Sequence, residues 1–170
     1  MSVADDVAEL TRRVHRLEDR ASIAQVIASY GPSVDSGSAE STASLWTRDG
    51  TYEFSASDST EEIILLDGAR AIAEMVDGAT HQGIIQGGAA HFLSAPHIVI
   101  DADSAVAIAY SLLLRRNPAG DFIIARMGAN RWQLVRASDG WKVVSRTQSM
   151  LDGREASREL LRPAAGPSAI

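Results

Sequence analysis

Three side chains of this sequence, Asp35, His91 and Arg146, have the chemistry that an acid–base site needs. An imidazole has a pKa suited to removing a proton near neutral pH. An aspartate bonded to the second ring nitrogen would fix the tautomer and stabilise the imidazolium. Arginine is permanently charged and can hold a developing oxyanion or a departing anion. These types suit elimination, in which a base takes a proton beside an activating group while a leaving group departs.

The surroundings of each residue allow a structural reading as well as a functional one. His91 follows the small residues 87–90, which would leave room for a ligand beside the ring, but it could be a hydrogen-bonded core histidine. Asp35 follows Gly31 and Pro32, which are expected to end a helix, and it could simply cap a turn. Arg146 lies in the middle of a predicted strand and could be exposed.

Other signatures of chemistry are missing from the sequence. It has no nucleophile elbow, P-loop, dinucleotide fingerprint or zincin motif. It has no cysteine, which excludes a thiolate metal site and a cysteine nucleophile. His15 belongs to a charged helical stretch, and the spacing of His81, His91 and His97 matches no zinc pattern. We therefore expect neither a metal nor an organic cofactor.

Composition and charge describe one ordinary globular domain. The chain has 170 residues, of which 45% are hydrophobic, and its formal charge is 16 − 22 = −6. An acidic chain argues against nucleic acid as a partner. The first residues are charged and lack the apolar segment of a signal peptide, and no apolar run approaches the roughly 20 residues of a membrane helix. We expect a cytoplasmic protein that binds no membrane.

Periodicity predicts helices in the first half of the chain. Val3, Val7, Leu10, Val14 and Leu17 are spaced by four and three, and form one apolar seam of a helix that would pack on the domain or on a neighbouring subunit. The phase changes near Asp19, which would cap a second helix ending at Gly31 and Pro32. Further predicted elements are a helix over 38–46, a turn at 48–50, strands over 51–57 and 63–66, a helix over 69–76 capped by Asp67 and stopped by Gly78, and a loop over 83–88.

Long antiparallel strands follow. They are expected over 91–100, interrupted by Pro96, and over 105–115, 122–136 and 141–151, before a loose tail beyond Gly153. Helices followed by a strand meander indicate an α+β fold. We divide the chain into a helical extension over 1–19, a domain over 20–152 and a tail over 153–170. A strongly curved sheet wrapped over the N-terminal helices would leave a cavity open at one end.

Several short motifs resemble SnoaL-like proteins of the nuclear-transport-factor-2-like superfamily. They are RASI at 20–23, YGPSVD at 30–35, LW at 45–46, DGTY at 49–52, HFL at 91–93, IVID at 98–101 and DGWKVV at 139–144. The resemblance runs from about residue 20 to 150 and implies a cone-shaped half-barrel with a mixed, mostly antiparallel sheet.

Within that superfamily the chain is most similar to scytalone dehydratase, hexachlorocyclohexane dehydrochlorinase and bile-acid dehydratase. The resemblance places their working aspartate and histidine on Asp35 and His91, an arginine of the last strand on Arg146, and a tyrosine on Tyr30. A second histidine of scytalone dehydratase would fall near Met127 or Gly128, so this chain departs from it there. The residues expected to bind substrate are Trp46, Met75, Phe92, Met127 and Asn130.

These observations predict a cofactor-independent lyase or isomerase acting on a small hydrophobic cyclic molecule. One alternative is a non-catalytic domain that binds a ligand or assembles subunits, like the small subunit of ring-hydroxylating dioxygenases. A further alternative is a polyketide cyclase. The apolar seam, together with apolar residues on the outward faces of the strands, predicts self-association as a trimer or dimer.

Overall fold

The computed structural model describes residues 2–56 and 62–164 of the chain. Its helices are α1 (Val3–Asp35), α2 (Ala39–Ala43), α3 (Ala69–Asp77), α4 (Ala79–Gln86) and α5 (Glu155–Leu161), which is followed by a 3₁₀ turn at Arg162–Ala164. Its strands are β1 (Trp46–Ser55), β2 (Ile63–Asp67), β3 (Ala89–Leu93), β4 (His97–Asp101), β5 (Ser104–Arg116), β6 (Phe122–Ala137) and β7 (Gly140–Met150). Ser57, predicted to end a strand, and the end of the predicted loose tail, 165–170, lie outside the described residues.

All seven strands belong to one mixed, curved and unclosed sheet, so the predicted α+β class is confirmed. The strand order is β2-β1-β7-β6-β5-β3, and β4 pairs with β5 beside β3. Only the β1–β7 pair among these strands is parallel. Pro96 lies between β3 and β4, as predicted, and the two strands pair with different halves of β5. The predicted long strands 105–115, 122–136 and 141–151 agree with β5, β6 and β7 to within a few residues.

Helix α1 is continuous, which corrects two predictions from the sequence. It begins with a capping box between Ser2 and Asp5 and runs without interruption past Asp19. Asp19 therefore caps no helix; it accepts hydrogen bonds from Arg136 and Trp141. The helix also continues through Pro32 and ends at Asp35. Pro32 and Ala28 are both exposed, so water can solvate the Ala28 carbonyl, which the proline deprives of its intrahelical donor.

The core lies between one face of α1 and the concave face of the sheet. Ile23, Ile27, Tyr30 and Val34 recur at helical spacing and are at most 4% exposed. On the sheet they meet an equally buried set. This set includes Trp46, Ile98, Ala105, Ala107, Trp132, Leu134, Trp141 and Val143. Burial of this face explains why α1 keeps its direction over the whole domain despite Pro32.

Four shorter elements differ from the sequence prediction. The turn expected at 48–50 lies within β1, at an irregularity in its pairing with β7. Gly68, with φ +84°, is the N-cap of α3 in place of Asp67. The loop expected at 83–88 is largely helix α4, which starts at Ala79, directly after Gly78, the predicted stop of α3. The tail contains helix α5, which packs against β6 and β7.

The N-terminal part of α1 projects from the domain. Val3, Val7, Leu10, Val14 and Leu17 are between 50% and 80% exposed, so this seam does not pack on its own domain. Every helix in the described part of the chain is too short or too polar to span a membrane.

Candidate active site

A cavity of about 470 Å³ lies between the concave face of the sheet, the end of α1, and helices α3 and α4. Its size is within the range of small-molecule sites, and most of its wall is apolar. The apolar lining residues include Phe54, Ile64, Leu66, Met75, Ile84, Leu93, Leu112 and Leu113. The polar lining residues include Tyr30, Tyr52, His81, His91, Ser111, Arg126, Arg146 and Gln148. A few polar groups therefore converge in an otherwise apolar space.

Asp35 and His91 are joined by two hydrogen bonds. Asp35 Oδ1 lies 2.6 Å from His91 Nδ1, and Asp35 Oδ2 accepts the backbone N–H of His91 at 2.8 Å. Their side chains are 23% and 21% exposed. A carboxylate can only accept, so Nδ1 carries the ring hydrogen in the neutral imidazole. Nε2 is then the unprotonated nitrogen of a histidine that lines the cavity.

Close contact between α1 and β3 brings the two residues together. Gly31 is buried, and a β-carbon at that position would overlap the His91 carbonyl oxygen. One helical turn later, α1 ends at Asp35, beside the start of β3. The histidine N–H and ring both bond to this carboxylate, so the imidazole has a fixed orientation.

Arg146 is 3% exposed and its charge is not neutralised within the part of the chain that the structure describes. Its Nε and Nη2 donate to Asn130 Oδ1 at 3.0 and 2.8 Å, and the buried Nη1 has no partner. The guanidinium carbon lies 4.1, 4.4 and 4.2 Å from the ring centroids of Tyr30, Tyr52 and Trp132. A buried cation held only by neutral groups is costly unless an anion completes its surroundings.

Two tyrosines line the same end of the cavity. Tyr30 makes edge contacts with the rings of Tyr52 and His91, with centroid distances of 6.3 Å in both cases. Burial raises the pKa of Tyr52 far above its ordinary value, although the nearby Arg146 charge opposes the shift. Tyr52 is therefore a protonated hydrogen-bond donor at neutral pH.

The sequence analysis missed His81, Arg126 and Gln148 as residues of the wall. His81 is 7% exposed, its Nε2 is 2.8 Å from the Val34 carbonyl oxygen, and its ring centroid is 5.7 Å from that of His91. The sequence offered His81 only as a possible metal ligand, because helix α4, which turns it toward the cavity, was not predicted. The inward positions of β6 and β7 were the only available signal for Arg126 and Gln148, and register shifts in both strands obscured it.

The structure places two of the five predicted substrate-binding residues on the cavity wall and three elsewhere. Met75 and Phe92 line the cavity, whereas Trp46, Met127 and Asn130 do not. Trp46 lies behind Tyr30 in the core, with 6.0 Å between ring centroids. Met127 is 43% exposed because alternate residues of β6 point to the outer face. Asn130 is fully buried, where it orients Arg146 and donates to Ser111 Oγ at 2.8 Å.

Among residues 2–56 and 62–164, no group of three or more histidine, aspartate or glutamate side chains is arranged to hold a metal ion. His97 lies on β4, away from the cavity wall.

Comparison with known proteins identifies the fold and the family. Residues 15–147 match the SnoaL-like domain. An NTF2-like protein with a cystatin-like fold from Novosphingobium aromaticivorans is 39% identical, with a TM-score of 0.86 over 92% of this chain and 97% of that one. No protein of curated function matches significantly.

More distant structures share the fold alone. The β subunit of a provisionally assigned aromatic-ring-hydroxylating dioxygenase from Novosphingobium aromaticivorans is 17% identical, with a TM-score of 0.63 over 81% of this chain and 91% of that one. A protein of unknown function from Mycobacterium tuberculosis is 21% identical, with a TM-score of 0.66 over 76% and 74% of the two chains. The match over 15–147 and the 39% identical structure together establish that this chain belongs to the SnoaL-like domain family, with an NTF2-like fold.

Proposed function

We propose that this protein is a cofactor-independent lyase or isomerase that removes a carbon-bound proton from a small hydrophobic cyclic substrate. The observation that carries the proposal is the Asp35–His91 pair. Nδ1 is committed to the carboxylate, and Nε2 remains as a base on the wall of an apolar cavity. An oriented imidazole of this kind contributes about 10²- to 10⁴-fold to proton removal.

In the proposed elimination, His91 Nε2 takes the proton from the carbon beside an activating group. The C–H electron pair forms the new double bond, and the leaving group departs with its own bonding pair. A leaving hydroxide takes up the proton from the imidazolium, which restores neutral His91 and gives water. In an isomerisation, the same proton returns to another carbon of the substrate.

Arg146 and Tyr30 have separate roles in this proposal. The unpartnered Nη1 of Arg146 stabilises negative charge that develops on a substrate oxygen or on a departing anion. Arginine suits this role because it stays charged even when buried. The Tyr30 hydroxyl donates a hydrogen bond to an activating carbonyl or to a leaving hydroxyl. Asp35 holds the histidine tautomer and touches no reacting atom.

A general probe of proton abstraction tests this function before the natural substrate is known. In 5-nitrobenzisoxazole, a base removes the proton from the one C–H of the isoxazole ring, the N–O bond breaks, and a coloured cyanophenolate forms. We expect the protein to accelerate this elimination and His91→Ala to reduce the rate about 100-fold. His15→Ala is the control, because His15 is exposed on the projecting part of α1. Equal rates for wild type and His91→Ala would overturn the proposal.

A non-catalytic assembly domain is the second candidate, supported by the exposed seam of α1 and by the fold shared with a dioxygenase β subunit. This candidate predicts that Asp35→Asn and His91→Ala leave the rate of proton abstraction unchanged, and that the chain forms a stoichiometric complex with another subunit. A polyketide cyclase would start with the same proton removal but would close a carbon–carbon bond. Mass spectrometry distinguishes it, because cyclisation without dehydration conserves mass and dehydration removes one water.

A further inference from the structure

The second arginine of the cavity, Arg126, forms no ion pair with any residue of the ranges 2–56 and 62–164. Its Nη2 donates to the Ser55 carbonyl oxygen, and its Nε lies 3.4 Å from Met150 Sδ. Both partners are uncharged, and the fork keeps further N–H donors. The contacts therefore fix the direction of the guanidinium and leave it able to bind an anion.

Strand register places Arg126 in the same row of the sheet as His91. His91 lies opposite Leu113 on β5, and Leu113 lies opposite Arg126 on β6. Residues directly opposite each other point to the same face, and all three line the cavity. Two strand spacings separate the His91 and Arg126 backbones by about 10 Å. The Arg126 guanidinium extends from β6 toward β7 and β1, so an anion bound to it would share the cavity with His91 and lie on the opposite side of β6 from the base.

The backbones of Arg126 and Arg146 lie well apart in the sheet. Arg146 lies opposite Trp132, six positions along β6 from Arg126, which corresponds to about 20 Å of strand. Among the described residues that line the cavity, none is an aspartate or a glutamate. Two arginines and no carboxylate therefore line the described part of the wall, and the nearest acidic group, Asp35, is bonded to His91; this arrangement favours anionic ligands over cationic ones.

We propose that Arg126 binds a carboxylate or sulfonate substituent of the substrate. The substrate class is then an amphipathic organic anion: an apolar ring system that presents its reactive carbon to His91 and its anionic group to Arg126. That the bound anion is turned over rests on the proposed function. That the cavity binds an anion at Arg126 rests only on the cavity.

A pair of fluorescent ligands tests the inference without turnover. 8-Anilinonaphthalene-1-sulfonate and N-phenyl-1-naphthylamine share one ring system, and only the first carries an anion. We expect Arg126→Gln to weaken binding of the sulfonate about tenfold and to leave the amine unchanged. Arg131→Gln is the matched control. Arg131 lies on the same strand and outside the cavity wall, and its substitution removes the same charge.

Equal weakening of the sulfonate by both variants would assign the effect to net charge and overturn the inference. Equal loss of both ligands in Arg126→Gln would do the same, because it would indicate a damaged cavity. A failure of the proposed function is separate: it would appear as a rate that does not depend on His91, whatever the two ligands do.

A different observation, the exposed seam of α1, supports an inference about self-association. The spacing places Val7 and Val14 at positions a of a heptad repeat, and Val3, Leu10 and Leu17 at positions d. Valine at positions a with leucine at positions d favours a parallel coiled coil of two helices. These five residues are exposed, whereas the helix turns its opposite side to its own domain, where Asp19 binds Arg136. A second helix can therefore lie on the seam without meeting that domain surface.

Charges beside the seam agree with a parallel arrangement. Arg13 occupies a position g and Glu18 the following position e, and these positions meet across a parallel dimer. Both side chains are exposed. We infer that the partner of this seam is a second copy of the chain, joined in a parallel two-stranded coiled coil over residues 3–17.

Sedimentation of the full chain tests the stoichiometry. We expect twice the 18.1 kDa chain mass for wild type and a monomer for Leu10→Glu. Ala8→Glu, which adds the same charge at an exposed position off the seam, should remain dimeric. A wild-type monomer or trimer would overturn the inference.

Orientation can be tested with a single cysteine because the chain has none of its own. Leu17→Cys should form a disulfide between the two copies on oxidation, since each residue d faces its own counterpart in a parallel pair. Arg16→Cys, outside the seam, should not. No cross-link with Leu17→Cys in a dimer would indicate an antiparallel pair and contradict the proposed arrangement.

Discussion

Gly31 of α1 touches the backbone of His91 so closely that a β-carbon at position 31 would overlap the histidine carbonyl oxygen. The same helix ends four residues later at Asp35, whose carboxylate binds both the N–H and the ring of His91. The missing side chain at Gly31 is therefore what allows helix and strand to approach within bonding distance of the candidate base.

Gly31→Ala should destabilise the fold and disturb the Asp35–His91 pair. Backbone must move to accommodate the methyl group, which costs about 1–3 kcal/mol and is only partly offset by the better helix propensity of alanine. Urea unfolding measures the loss. Gly83→Ala in α4 is the control: nothing lies within 4 Å of its added methyl group, so it should gain up to about 1 kcal/mol. A gain for both variants would contradict the close approach.

Asp35→Asn should keep the shape of the site and lose most of its activity as a base. The amide oxygen can still accept from the ring N–H, but the negative charge that stabilises the imidazolium is gone. We expect the rate with 5-nitrobenzisoxazole to fall about 100-fold. Asp77→Asn, an exposed substitution at the end of α3, should leave the rate unchanged. Similar rates for Asp35→Asn and wild type would remove Asp35 from the proposed mechanism.

The sequence was sufficient to predict the class of fold, because helical periodicity in the first half gives way to long strand-like runs separated by turn residues, and the short motifs that resemble SnoaL-like proteins indicated the family. It also suggested Asp35 and His91 as a pair, and the structure joins these residues by two hydrogen bonds. It was misleading at Pro32, because a proline tolerated on an exposed helix face is indistinguishable from a helix stop without knowledge of burial. Asp19 was predicted to cap a helix for the same reason: the sequence does not show which residues pack together, and the structure pairs Asp19 with Arg136.

The residues of the cavity wall were harder to predict from the sequence than the candidate base, His91. Apolar residues occur on both faces of β6, where Ile123 and Met127 are exposed, so periodicity alone did not identify the inner face. Register shifts at Leu113 and Gln133 further displace cross-strand neighbours. Arg126 and His81 became visible only when pairing and helix packing were known.

Acid should weaken the contact between α1 and the sheet. The hydrogen bonds from Arg136 hold the pKa of Asp19 below its ordinary value. A lowered folded-state pKa stabilises the protein above the unfolded value of about 3.9, and this contribution disappears as the pH falls through the folded-state pKa.

Asp19→Asn should therefore lower the free energy of unfolding by about 1 kcal/mol at pH 7. The loss is small because Arg136 is 41% exposed and solvent screens its charge. The difference from wild type should begin to shrink as the pH falls below about 4, where Asp19 of the unfolded chain becomes protonated, and should disappear only below the lowered pKa of Asp19 in the folded state. Urea unfolding at several pH values measures both effects. A difference that persists unchanged in acid would show that the charge of Asp19 is not responsible.

Arg146→Met should reduce turnover far more than it reduces stability. Losing one electrostatic contact to a developing anion costs about 3 kcal/mol, or roughly a hundredfold in rate. For the fold, the lost hydrogen bonds to Asn130 are offset by removal of a buried charge that has no ion-pair partner among the described residues, so the free energy of unfolding should change by about 1 kcal/mol. Arg146→Lys should recover little rate, because an ammonium cannot hold Asn130 and present a second donor in the same plane. Rates with 5-nitrobenzisoxazole and urea unfolding of the same preparations separate the two effects. Full activity in Arg146→Met, or full rescue by lysine, would mean that the guanidinium of Arg146 does not contact the developing negative charge.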